Sequence, residues 1–189
     1  MIDAALGLLA EELNAHLRRT FSLAEDVVVL SNLQDQDGSP VSTPNRKVVL
    51  FLAGIECETA AHRTPEWSAG GASHVTEPAP VYLNLMLMCA ANFSGVHYPE
   101  ALKCLSSTIK FFEGKPVFDR SNSPDMADGL DRLTLTIENL SRSEMHSLWG
   151  IHSGRYLPSV LYRVRMVTLD SQHVTRRDSV VRQPGVVTT

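Results

Sequence analysis

The side chains best suited to bind a metal lie around one irregular stretch of this chain. Cys57, His62 and His74 are of the residue types that hold zinc. Structural zinc sites take their ligands in tight pairs a few residues apart, and this stretch contains no such pair. His146 and His152 are six residues apart and lack the spacing that places two histidines on one helix face. The pattern predicts no metal, and a zinc site at Cys57, His62 and His74 stays open as the alternative.

Two glutamates have the arrangement of an acid–base pair. Glu56 and Glu58 alternate on a predicted strand and share one face, as a general acid and a general base would. A charged strand edge in water accounts for the same alternation without any site, and we favour it. Gly114-Lys115 resembles the end of a phosphate-binding loop. Pro116 stands where this motif requires Ser or Thr, and Ile109 stands where it requires Gly, so the motif is not present.

Arg163 and Arg165 alternate on the last predicted strand and so lie on the same face. Two such residues can hold a phosphate, but a use at the surface or at a protein interface is the better interpretation. Nothing in the sequence assembles a nucleophile, a base and an oxyanion hole. The chain is therefore predicted not to be an enzyme and to need no cofactor.

Hydrophobic periodicity predicts the elements that position these side chains. Residues 99–113 form a helix whose buried stripe is Leu102, Leu105, Ile109 and Phe112, closed by Gly114. A capping box at Ser141 and Glu144 starts a short helix. The other predicted elements are a helix over residues 2–20 and strands over residues 27–31, 47–58, 80–93, 130–140 and 160–170. This order predicts an α+β fold, a mixed β-sheet backed by helices.

The composition indicates a folded domain. The chain has 189 residues, 43% of them apolar and 20% charged, which excludes a disordered or collagen-like chain. No window is apolar enough for a membrane span, and the first residues do not resemble a signal peptide, so we expect no direct membrane insertion. The three cysteines, an odd number in apolar settings, are expected to be buried free thiols in a reducing compartment.

The charges are distributed unevenly. The net charge of −4 argues against a nucleic-acid-binding protein. Residues 153–189 contain six Arg and two Asp, a net charge of +4, which leaves −8 for residues 1–152. Such an asymmetry suits head-to-tail self-assembly, in which the basic end of one copy meets the acidic surface of the next.

Three groups of motifs carry a resemblance to a known family. They are VYLNL with AANF at residues 81–85 and 90–93; YPEALK, FFEGKPVF and SNSP at residues 98–103, 111–118 and 121–124; and LW with GRYLPSVLYRVRM at residues 148–149 and 154–166. Together the motifs resemble the N-terminal domain of the cap proteins, or tail terminators, of extracellular contractile injection systems. These are phage-tail-like particles of the antifeeding prophage and Photorhabdus virulence cassette type. The resemblance covers roughly residues 2–170.

The resemblance implies a phage tail-terminator-like fold and a structural role. Proteins of this family form a ring of six that closes the distal end of the inner tube and sheath. It also implies assembly in the bacterial cytoplasm, incorporation into the injection particle and, where the particle leaves the cell, release with it. The motif positions that match are mostly core and turn residues: Tyr82, Asn84, Phe111, Phe112, Gly114, Pro116, Phe118, Trp149, Tyr156, Pro158, Tyr162 and Arg165.

The predicted organisation is one cap domain over residues 1–170 and a flexible C-terminal tail over residues 171–189. The expected partners are further copies in a homo-hexamer and the inner tube and sheath proteins, with no nucleic acid. The arginines of the basic end are the expected subunit, sheath or tube interface: Arg155, Arg163, Arg165, Arg176 and Arg177. A tail-completion protein of a true phage, a small metal-dependent enzyme and a generic adaptor are the alternative functions.

Overall fold

A mixed six-stranded sheet forms the centre of the fold. The computed structural model describes residues 1–35, 39, 41, 45–58, 73–76, 81–152, 156–168 and 176–179, and for residues 73–76, 81, 167–168 and 176–179 the description covers the backbone. The strands are β1 (Val28–Leu30), β2 (Lys47–Cys57), β3 (Ser73–Thr76), β4 (Val81–Asn92), β5 (Val117–Asp119), β6 (Leu130–Ile137), β7 (Ser159–Thr168) and β8 (Arg176–Ser179). The central sheet has the order β1-β2-β4-β7-β6-β5, in which β1 and β2 are parallel and the other neighbours antiparallel.

Helices lie on both faces of this sheet. They are α1 (Ile2–Phe21), α2 (Tyr98–Gly114) and α3 (Arg142–Ile151). The larger core packs α1 and α2 against one face, and Phe112, Phe118 and Tyr162 are among its fully buried side chains. The smaller core packs Trp149 of α3 against the opposite face. The predicted α+β fold, a mixed sheet backed by helices, is confirmed.

Polar side chains fix the position of α1 against the rest of the domain. The Asn14 side chain accepts hydrogen bonds from the backbone N–H groups of Val27 and Val28 and donates one to the Val28 carbonyl. Glu12 binds Lys115 at 3.0 Å, directly beyond the end of α2. These contacts satisfy the polar groups at the edge of the larger core, where an unpaired group would be costly.

The structure contains three short strands that the sequence analysis did not predict. Two of them, β3 and β8, pair with each other in an antiparallel two-stranded sheet. The first lies between the predicted strands over residues 47–58 and 80–93, where no element was predicted, and the second in the segment predicted to be a tail. The third, β5, is an edge strand of three residues. None of the three has the run of β-branched residues that predicts β1, so only their pairing defines them.

The buried face of α2 differs from the prediction. Of the expected stripe only Phe112 is buried, whereas Leu102 is exposed and Leu105 and Ile109 are half-buried. The helix instead turns a face of smaller residues toward the core: Ala101, Cys104, Ser107 and Thr108. Small side chains let the helix backbone approach the sheet closely, and the larger apolar residues are left at its side.

The cysteines are all free, as predicted, but one of the three is not buried. Cys89 and Cys104 lie inside the larger core, whereas Cys57 is exposed at the end of β2. Burial raises the pKa of the Cys89 thiol and of the Cys104 thiol. Both core thiols are therefore protonated and act as small apolar side chains.

Candidate interaction surface

The two predicted strand arginines lie on the sheet face that α3 covers in part. Alternation along β7 places Leu161, Arg163 and Arg165 on this face. Leu161 is beneath α3 with Trp149, and the two arginines lie beyond the helix. The register puts Arg163 level with Met86 and Thr136, and Arg165 level with Asn84 and Thr134. One half of this face is thus an apolar core and the other a partly exposed polar surface.

Each arginine forms an ion pair with a carboxylate of the same chain. Arg163 Nη2 lies 2.9 Å from Glu138 Oε2, just after the end of β6. Arg165 Nε lies 2.7 Å from Glu58 Oε2, just after the end of β2. The guanidinium of Arg165 also lies over the Tyr82 ring, 5.6 Å from its centroid. We call these five residues, Glu58, Tyr82, Glu138, Arg163 and Arg165, the arginine surface.

The ion pairs of the arginine surface are partly exposed to water. Both arginine side chains are a little under half exposed, so water screens part of the attraction, and pairs of this kind contribute about 1 kcal/mol or less. Two atoms of the surface, Glu58 Oε2 and Arg163 Nε, are themselves buried and have no hydrogen bond within the described part of the chain. A guanidinium has five N–H donors in a fork that suits carboxylates and backbone carbonyls. The surface therefore offers donors for binding.

The structure brings together only two of the five predicted interface arginines. Arg155 lies outside the described residues. Arg176 and Arg177 belong to β8, which is described by its backbone alone. Sequence reasoning missed Tyr82 and Glu138 as partners, because their proximity depends on cross-strand register.

The alternative metal and acid–base sites are not assembled in the described part of the chain. His62 lies outside it, and His74 is in β3, where the backbone alone is described. Among the described residues no three Cys, His, Asp or Glu side chains gather as metal ligands. Of the two glutamates of the acid–base alternative, Glu58 forms an ion pair with Arg165. Glu56 is exposed and lies opposite Asn84 on the neighbouring strand.

A cleft of about 790 Å³ lies between the end of α1 and the start of α2. Phe21, Phe93 and Cys104 are among its apolar lining residues, and charged residues also line it. The Glu100 carboxylate accepts hydrogen bonds from His97 at 3.2 Å and from Arg46 at 2.9 Å. Both contacts lower the pKa of the Glu100 carboxyl, and the contact with His97 has the larger effect. Two of the charged lining residues, Arg46 and Glu100, are thus paired with each other.

No helix within the described residues combines the length and the apolar character that crossing a bilayer requires.

A protein-family model matches residues 6–183, nearly the whole chain, and is described as the Pvc16 N-terminal domain. The chain belongs to this family. The resemblance predicted from the motifs is thereby confirmed. The matched range extends beyond residue 170 and includes β8, which the predicted boundary had assigned to the tail.

Two solved structures share the fold of this Pvc16 N-terminal domain. One is the PVC sheath/tube terminator of an extracellular contractile injection system in the extended state, with a TM-score of 0.58 and 15% identity. The other is the anti-feeding prophage cap, a tube-terminating cap, with a TM-score of 0.60 and 14% identity. Both comparisons cover 100% of this chain but 65% and 61% of the other. The chain thus spans less than two thirds of either terminator. No curated protein matches the chain.

Proposed function

We propose that this protein is a structural cap, or tail terminator, of a phage-tail-like contractile injection system. One observation carries the proposal: the family match over residues 6–183, on a fold shared with a sheath/tube terminator and a tube-terminating cap. In this role the protein closes the distal end of the inner tube and sheath and catalyses no reaction. It assembles in the bacterial cytoplasm, joins the particle and binds no nucleic acid.

The proposed assembly is a ring of six copies seated on the tube and sheath. Support comes from the charge asymmetry, since the basic end and the acidic remainder of the chain suit a head-to-tail contact. The net charge of −4 is unfavourable for binding to the phosphates of a nucleic acid.

The interface proposed for this ring and for the tube or sheath contains the arginines of the basic end: Arg155, Arg163, Arg165, Arg176 and Arg177. Arg163 and Arg165 support it best, since both side chains are partly exposed. A neighbour's carboxylate can bind either guanidinium beside its own partner, because a guanidinium has five N–H donors and one carboxylate uses only some of them.

Deletion of the gene in the producing bacterium tests this function. Without its terminator a tube has no defined stop, so particles lacking this protein are expected to have open ends and a broad length distribution. Plasmid-borne wild type should restore capped particles of one length, as measured by negative-stain microscopy. Particles of normal length and closed ends in the deletion strain would overturn the proposal.

A further inference from the structure

Helix α2 is apolar on two sides, and only one of them faces the core. Three of the large residues expected in the core, Leu102, Leu105 and Ile109, lie instead at the side of the helix, in line with Tyr98. Residues at this spacing form one continuous stripe. We define the α2 stripe as Val96, Tyr98, Leu102, Leu105 and Ile109; Val96 is 87% exposed and Leu102 42%. A monomer gains nothing from presenting such a stripe to water.

A second exposed apolar group lies at the end of α3. Ile151 is 76% exposed and Tyr156 59%, and the Tyr156 ring packs edge-on against Trp149 at 5.6 Å. Trp149 itself is buried, and its indole N–H has no hydrogen-bond partner in the part of the chain that the structure describes. We define the α3 end as Trp149, Ile151 and Tyr156.

The two apolar groups belong to opposite faces of the sheet. Helix α2 packs with the larger core on one face, and Trp149 packs with the smaller core on the other. A contact between two different surfaces is heterologous, and its repetition around an axis forms a ring where the rotation closes and a filament where it does not. A self-complementary patch would instead give a two-fold dimer.

We propose that the α2 stripe of one copy packs against the α3 end of the next copy, and so forms the apolar centre of a ring contact. This inference rests on the proposed function, which requires a ring of copies. The occupant is a second copy, because the two groups lie on opposite faces and the α3 face also carries the arginine surface. One neighbour thus covers an apolar centre with charged residues beside it, the usual anatomy of an interface.

The size of the stripe fits this role. The helical part of the stripe runs over 12 residues, from Tyr98 to Ile109, which at 1.5 Å per residue is about 18 Å. With a helix about 10 Å wide, its footprint is roughly 200 Å². A stable interface buries about 800 Å² on each partner and has an apolar centre with a polar rim around it. The stripe supplies the centre and leaves the rim to the charged residues.

Three variants test the contact, each placing a carboxylate at an exposed position so that the fold is preserved. Leu102→Glu alters the α2 stripe and Ile151→Glu the α3 end. Leu30→Glu, at an edge strand and 45% exposed, is the matched control. Sedimentation velocity over a concentration series should show wild type and Leu30→Glu self-associating. Leu102→Glu and Ile151→Glu should each stay monomeric, with self-association weakened at least tenfold.

Mixing the two monomeric variants gives the decisive result. Each retains one intact surface, so an equimolar mixture should form one-to-one dimers and nothing larger. Self-association of Ile151→Glu alone, with Leu102→Glu monomeric, would show a two-fold contact through α2 and overturn the inference. A mixture that stays monomeric, variants that associate like wild type, or a monomeric wild type would each overturn it too.

The proposed function is judged separately, by labelling the same variants at particle ends. If wild type and both variants label the particle ends equally, the proposed contact between the α2 stripe and the α3 end is wrong, and the cap function is retained. Ends without wild type would refute the cap function itself.

Discussion

Among the described residues Tyr162 is the largest fully buried side chain, and its hydroxyl has no hydrogen-bond partner within them. Its ring packs against Phe112 at 5.1 Å, so the ring stabilises the fold while the hydroxyl costs desolvation. Burial, with smaller contributions from Cys89 and Glu113, raises the pKa of this phenol.

Tyr162→Phe should therefore leave the free energy of unfolding unchanged or raise it by up to about 1 kcal/mol. Tyr162→Ala should lower it by about 3–5 kcal/mol, because it leaves a cavity in the core. Urea denaturation of the three proteins measures both changes. A clear loss of stability in the phenylalanine variant would mean that the hydroxyl has a partner.

His16 links α1 to α2 and makes stability depend on pH. Its Nε2 lies 3.1 Å from Ser107 Oγ, and its ring stacks on Phe111 at 4.8 Å. Burial, and then the nearby Arg19, lower its pKa below the ordinary value of 6.5. The unfolded chain thus takes up a proton at a higher pH than the folded one, so stability is lost as pH falls below 6.5.

The free energy of unfolding should accordingly decrease from pH 7 to pH 5, and the decrease should be smaller in His16→Gln. His152 contributes in the same direction, because burial also lowers its pKa. Denaturation at a series of pH values gives the two slopes. Equal slopes in wild type and variant would contradict this role of His16.

At the scale of elements, α3 depends on its first turn. The Ser141 side chain accepts from the Glu144 backbone N–H, and the Glu144 side chain accepts from the Ser141 N–H at 2.8 Å. This capping box was predicted from the sequence and is confirmed, since it needs only two residue types at a fixed spacing.

Ser141→Ala should lower the free energy of unfolding by about 1 kcal/mol. Ser143→Ala is the control, because Ser143 is exposed and lies two residues after Ser141. This substitution should change the free energy of unfolding little. Tryptophan fluorescence during denaturation, in a Trp67→Phe background so that Trp149 alone emits, reports both, because Trp149 holds α3 to the smaller core. An equal effect of the two substitutions would show that the cap contributes nothing.

The sequence predicted the long elements well and the pairings poorly. The alternation of Leu133 and Leu135 predicted β6, and both residues are buried. In α2 the large apolar residues suggested the wrong buried face, because periodicity does not distinguish a core contact from a contact with another molecule. The pairing of Arg165 with Glu58 joins two distant strands, and no local pattern encodes that register.

At the scale of the molecule, the proposed arginine interface makes assembly sensitive to charge. Arg163→Glu with Arg165→Glu should weaken ring formation, and the difference from wild type should shrink as salt increases, because salt screens exposed charges. Arg18→Glu with Arg19→Glu makes the same change of net charge at the end of α1 and should leave the ring intact. Unchanged rings in the first double variant, by mass photometry, would remove these arginines from the interface.

Removal of residues 171–189 tests the proposed division into domain and tail. The described strands of the central sheet all end before this segment, at Thr168 or earlier, so the truncated chain should keep its circular dichroism spectrum. Its melting temperature should change little, although the pairing of β3 with β8 is lost. An insoluble truncated chain would move the domain boundary beyond residue 170.

The central claim is that this fold ends a tube and sheath. Cryo-electron microscopy of particle ends from the producing bacterium, with this protein tagged, tests it most directly. The account predicts one ring of six tagged copies at the end distal to the baseplate and none along the shaft. Tagged protein spread along the shaft, or particle ends without it, would contradict the account.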